Sequence, residues 1–326
     1  MKWNFTNSKY VDGFMYVPVT FPYNRPDAIL IEDFKIEQLV ECINRKGLKK
    51  AYIQGMEDFA FLKDCSGLEH IQIEFHLPFH KWDSNTMKKG KICKDYDLDI
   101  LYRLPNLKSL QLIDSEEASV VIPKTSVWID RIPTLEYFRG EAGFIAGLEN
   151  AKNLKVLGLR GYKQKNLVEI GQLEKLETLS LFRGKVETLD GCETLENLQC
   201  LYLSCNRGLQ DISALSNLKQ SLKLLRIDHC AKIEDFSVLE DLGNLELLHL
   251  DGSQTLPNLE FLNRMPNLKT FICHMNVANG DLTPCLRLSY AYMGKNRKHY
   301  NLKDDDLPKI EYVRGNENIE EWKRIE

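Results

Sequence analysis

Between Leu154 and Asn276 one short phrase recurs six times, as NLKVLGL, KLETLSL, NLQCLYL, SLKLLRI, NLELLHL and NLKTFIC. Its first leucine falls at Leu154, Leu176, Leu198, Leu222, Leu245 and Leu268, so the steps are 22, 22, 24, 23 and 23 residues. A period in the twenties specifies a solenoid, because a unit of that size cannot bury its apolar face alone and must stack on copies of itself. Solenoids grow by adding units, so the 326 residues are expected to form one domain.

With that leucine as slot 0, slots +3 and +5 are also apolar. Successive side chains of a strand point to opposite faces, so +3 and +5 enter the core while +2, +4 and +6 point out. The same test, carried outward, selects Leu48-Ala51-Ile53, Leu68-Ile71-Ile73, Leu107-Leu110-Leu112 and Leu135-Phe138-Gly140 upstream. Downstream it selects Leu288-Ala291-Met293-Asn296 and Ile310-Val313-Gly315-Asn318, for about twelve units in all. Slot +8, where the chain leaves the strand, suits an Asn whose amide satisfies buried backbone groups. Asn206 and Asn276 fill it; Tyr162, Gly184 and Ser253 do not, and looser turns are expected there.

This phrase resembles the leucine-rich repeat family, whose LxxLxLxxN pattern is filled by Leu198, Leu201, Leu203 and Asn206, with Cys230 replacing Asn in the next unit. The connecting halves place apolar residues at every third position, as in Leu209, Ile212, Leu215 and Leu218 or Ile233, Phe236, Leu239 and Leu242. They look like the 22-residue class of internalins and related bacterial proteins. The resemblance runs from about Leu48 to Asn318. It implies an α/β solenoid, a horseshoe with a parallel inner β-sheet and short helical or irregular convex segments, and it is nearly silent about activity.

Residues 1–47 are expected to cap the array. Two aromatic-rich runs flank Asp12-Gly13, a hairpin signal because both residues accept φ > 0, and Ile36, Leu39, Val40 and Ile43 then follow helical spacing up to a stop at Gly47. The array proper is expected over 48–318. Insertions at about 76–103 and 115–132 break its period and are expected to be polar excursions on one face. Ile319, Trp322 and Ile325 suggest a closing turn over 319–326, and Asp304-Asp305-Asp306 is expected in a solvated loop.

A formal charge of −4 and a pI near 6.0 disfavour nucleic acid or anionic membrane as the partner. The opening MKWNFTNSKYV has no apolar run after its lysine, so the cytoplasm is the expected compartment. Nine cysteines without a CxxC pair are expected to be reduced core thiols. There is no GxxxxGK[ST] loop and no GxGxxG after a strand.

The outward slots carry the candidate site. Slots +4 and +6 bring Tyr202, Arg226, Asp228, His249, Asp251 and His274 into one polar and aromatic patch, extended by Arg139, Glu141, Arg160 and Phe182. Tyr and Arg dominate interface hot spots, so the patch is expected to bind a protein partner. His249, His274, Asp228 and Asp251 also invite a metal reading, but zinc sites usually show tight local ligand pairs, and no metal or cofactor is assigned. Cys200 with His249 or His229 is an equally weak thiol–base pair. The expected protein is therefore a monomeric, non-enzymatic binding scaffold, with an immunity or antitoxin-like protein as the alternative and an enzyme or effector with chemistry in its insertions as the remoter one.

Overall fold

The computed structural model describes residues 9–11, 14–18, 26–32, 36–75, 92–114 and 121–312. The chain divides into two compact units, the first containing Met1–Leu154 and the second being Lys155–Gly315. The turn at Asp12-Gly13 and the closing turn at 319–326 lie outside the described residues.

In the first unit β1 (Lys9–Val11) and β2 (Phe14–Pro18) are antiparallel, and β3 (Pro26–Ile31) pairs antiparallel with β2 on one side. On its other side β3 starts a parallel run through β4 (Lys50–Gln54), β5 (His70–Phe75), β6 (Ser109–Asp114) and β7 (Tyr137–Glu141). Helix α1 (Ile36–Lys46) buries Leu39, Cys42 and Ile43, so the buried stripe passes through Cys42, with Ile36 and Val40 only half-buried. Gly47 stops it at φ +61°: its N–H donates to Asn44 at 3.3 Å and that of Leu48 to Ile43 at 2.9 Å, the two bonds of a left-handed C-cap.

The insertions do more than extend into solvent. Ile92–Lys94 from the first pairs in parallel with Val121–Pro123 from the second, and Tyr96, 5% exposed, packs its ring against Phe59 and Phe75. Gly140, in the slot where a leucine is usual, is there for lack of space: a Cβ would lie 2.2 Å from the Leu112 carbonyl oxygen.

The second unit is more regular. Strands β8 (Val156–Arg160), β9 (Thr178–Phe182), β10 (Cys200–Ser204), β11 (Leu224–Asp228), β12 (Leu247–Asp251), β13 (Thr270–Cys273) and β14 (Tyr290–Tyr292) pair in parallel, each residue opposite the same slot of its neighbour. Slots 0, +3 and +5 from Leu154 to Met293 form the core, none more than 4% exposed. Leu201 at its centre is wholly buried, and truncating such a side chain costs about 2–5 kcal/mol.

The convex turns are 3₁₀ segments, as apolar residues at every third position favour. Their exposed backbone N–H groups are held by a side chain two residues upstream: Asp211 accepts from Ser213, Asp235 from Ser237, Asn258 from Glu260 and Asp281 from Thr283, at 2.8 to 2.9 Å. A second ladder comes from the asparagine that opens the phrase. Asn197, Asn244 and Asn267 each donate to a main-chain carbonyl of the preceding turn, at 2.8 to 3.1 Å.

At slot +8, Asn206 is fully buried and donates to Leu181, while its oxygen accepts from Gly184. Asn276 departs from the expectation: it is half-buried in a short strand, Met275 takes the inward place, and Gln254 donates to the Cys230 carbonyl in the turn before. Of the unit expected at Ile310, residues 313–318 lie outside the described residues, and its first slot is not buried. Ile310 is 85% exposed, Leu307 is buried instead, and the chain turns back so that Lys309 bridges antiparallel to Tyr290. The run Asp304–Asp306 is a 3₁₀ turn with Asp305 and Asp306 exposed, as a solvated segment should be, while the half-buried Asp304 accepts from Met293 and pairs with Lys309 at 3.1 Å.

Candidate functional site

On the outward face of the second unit, slot +4 aligns Tyr202, Arg226 and His249 on β10, β11 and β12. Slot +6 aligns Arg160, Phe182, Ser204, Asp228 and Asp251, and His274 follows β13 in the same column. The residues chosen from the sequence in this unit thus share one face of neighbouring strands. Arg139 and Glu141 belong to β7 of the first unit, where Arg139 stands opposite the buried Gln111.

The patch has a buried floor. Slot +2 contributes Val156, Thr178, Cys200, Leu224, Leu247 and Thr270, all at most 6% exposed although they face away from the core. Side chains at equal slots of adjacent strands lie side by side and cover one another. Tyr202 and Asp228 share this fate, at 6% each, so they offer a partner little area.

Asp228 is the hub. Its carboxylate accepts from Ser204 at 2.9 Å and from the ring of His229, and the Arg226 guanidinium stands 3.5 Å away. Burial alone would push this carboxyl up; the bonds from His229 and Ser204 and the charge of Arg226 outweigh it and hold the group below its ordinary value. Sequence reasoning missed the parts of Ser204 and His229. His229 sits at φ 49°, one of three non-glycine residues among the described ones, with Arg183 and Cys205, that take the left-handed conformation at strand exits.

His249 is pushed down to about 4, first by burial and then by the positive charge of Arg226, and is therefore a neutral imidazole at physiological pH. Its ring meets that of His274 edge to face at 5.7 Å, and His274 meets Tyr292 in the same way at 5.5 Å. Nδ1 of His274 lies 2.8 Å from Oδ2 of Asp251. At the other end of the patch Arg160 and Arg183 stack on the Phe182 ring, 5.7 and 4.8 Å from its centre.

Six of the thiols are poor nucleophiles. Burial pushes Cys192, Cys200, Cys273 and Cys285 up to about 12 and Cys65 and Cys230 to about 11, which leaves them protonated at neutral pH. Cys200, the thiol of the sequence-level thiol–base pair, is 3% exposed.

Parallel strands in unshifted register at 22- to 24-residue steps, closed by 3₁₀ turns, decide the architecture. The fold is that of a leucine-rich repeat protein. No protein-family model matches this leucine-rich repeat chain, and no curated protein matches it. Among solved structures it is similar to TLR13 in a complex with ssRNA13, at 18% identity and a TM-score of 0.52, over 81% of this chain and 42% of that one. It thus spans less than half of TLR13. It is also similar to an internalin, InlF of Listeria monocytogenes (18% identity, TM-score 0.48, 75% and 72% covered), and to a leucine-rich repeat protein of Leptospira interrogans (15%, 0.40, 82% and 88%).

Proposed function

We propose that the chain is a non-enzymatic scaffold, a cytosolic monomer that binds a protein partner on the outward sheet face of its second unit. The observation that carries this reading is the unshifted register that sets Arg226 beside His249 and Asp228 beside Asp251. Arg226 and Asp228 are fixed by their mutual pair, so little side-chain entropy remains to be lost on binding. The accessible anchors are Arg160, Phe182, Arg226, His249, Asp251 and His274, with Tyr202 and Asp228 beneath them. Arg139 and Glu141 carry the same chemistry on the first unit.

Affinity capture from the source lysate with the wild-type chain, followed by the same capture with Arg160→Ala/Phe182→Ala and with His274→Ala, tests it. A specific protein retained by the wild type and lost by both variants at unchanged Tm is the expected result. Full retention by both variants overturns the reading.

A further inference from the structure

The three residues His249, Asp251 and His274 bring one ring nitrogen from each histidine and one carboxylate oxygen within 4.8 Å of one another. We propose that they form a binding site for one divalent transition-metal ion of the zinc class, with two imidazoles and one carboxylate as protein ligands. Two imidazoles select zinc, cobalt or nickel over calcium or magnesium, which prefer all-oxygen sites.

One donor pair already stands at coordination spacing, and the His249 ring nitrogen lies within 4.8 Å of both atoms. Donors on one such ion, at bonds of about 2.1 Å, sit roughly 3 Å apart, and Nδ1 of His274 is already 2.8 Å from Oδ2 of Asp251. The ion would sit where these two atoms now meet, with the His274 ring proton carried on Nε2 so that Nδ1 is free to ligate. A second observation points the same way: Nε2 of His249 is sealed from solvent without a hydrogen-bond partner. Buried polar atoms are seldom left so, and a ligand is one standard reason.

The surroundings favour a cation. Asp228 and Asp251 carry two negative charges against the one positive charge of Arg226, which is held on Asp228. The His274 side chain is 36% exposed and that of Asp251 23%, so an ion can enter from solvent and keep water at the positions the protein leaves open. The support is rigid, because His249 and Asp251 share β12 and His274 packs against Gly294, where a Cβ would lie 2.4 Å from its ring.

The inference does not depend on partner binding and is tested on the purified full chain alone. After treatment with EDTA, Co²⁺ is titrated in and its visible d–d absorption followed, then displaced with Zn²⁺. One equivalent per chain is expected, with affinity reduced about a hundredfold in His274→Ala and in Asp251→Asn and unchanged in His229→Ala and Cys205→Ser. A Zn²⁺-dependent rise in Tm, seen in the wild type and absent in folded His249→Phe, is the second readout. Absence of Co²⁺ absorption overturns the proposal. So does thiolate charge-transfer absorption that disappears in Cys205→Ser, or equal loss of binding in His229→Ala.

Discussion

The amide nitrogen of Asn206 donates to the carbonyl oxygen of Leu181 at 2.8 Å across the turn that leaves β10. The same side chain donates to Ser204 and accepts from Gly184, so one fully buried residue satisfies three backbone groups in two successive units. Replacing it strands those groups away from water, at a cost of about 1–3 kcal/mol for an unsatisfied buried group. Asn206→Ala is therefore expected to lower stability by at least about 2 kcal/mol in urea unfolding. Asn276→Ala, at the equivalent slot but half-buried, is expected to change it by less than about 0.5 kcal/mol. Equal losses would show that the two asparagines do the same work.

The convex caps predict an acid limit. The backbone and side-chain bonds from Ser213, Ser237 and Thr283 hold the carboxyls of Asp211, Asp235 and Asp281 below their ordinary value. A carboxyl depressed in the folded state contributes stability above its unfolded pKa and loses it as pH falls through the folded one. Stability should thus decline below pH 3.8, the ordinary value for these groups. Asn258 caps the equivalent turn without titrating and serves as an internal control. The triple Asp→Asn variant is expected to flatten this part of a Tm-versus-pH curve, and an unchanged slope would count against the caps.

Gly140→Ala should destabilise although it adds one methyl group. The new Cβ would meet the Leu112 carbonyl oxygen at 2.2 Å, and backbone cannot swing aside as a side chain does. A loss of about 1–3 kcal/mol is expected in thermal unfolding. Gly67→Ala, with nothing within 4 Å of its Cβ, is the matched control and should be near neutral.

Among Cys42, Cys65, Cys192, Cys200, Cys205, Cys230, Cys273 and Cys285, thiol alkylation at pH 7 should be slow and should begin at Cys205, which is half-buried while the other seven are buried. Burial raises the pKa values of Cys65, Cys192, Cys200, Cys230, Cys273 and Cys285, so their reactive thiolate is scarce. A fast-reacting Cys200 or Cys230 in a mass-resolved time course would contradict the buried, protonated state and revive a catalytic reading.

Most of the second unit was legible because period and slot alternation together leave one register. The leucines at 0, +3 and +5 decide which neighbours face out, and the pairing of Tyr202 with Arg226 and of Arg226 with His249 follows. Burial was not legible. Slot alternation says which way Tyr202 points, but not that Cys200 and Leu224 beside it would close over the floor of the patch. Gln254 escaped notice because it lies one residue beyond the expected slot, and the geometry there depends on how the turn is wound. At Ile310 the spacing matched a repeat, yet Pro308 and Lys309 lead the chain back along the last strand. Local pattern carries no record of such a reversal.

That reversal governs what the molecule can do to its own copies. The free rim of a parallel stack offers a row of unmet backbone groups on which another chain can add a rung. Here the Ala291 N–H donates to Pro308 and the Ile310 N–H donates to Ser289, in a direction opposite to the stack. The ammonium of Lys309 lies over the rings of Tyr290 and Tyr292. A concentrated solution should therefore lack a template for end-to-end growth at this rim, so that filament formation is opposed by the same few residues that turn back along β14.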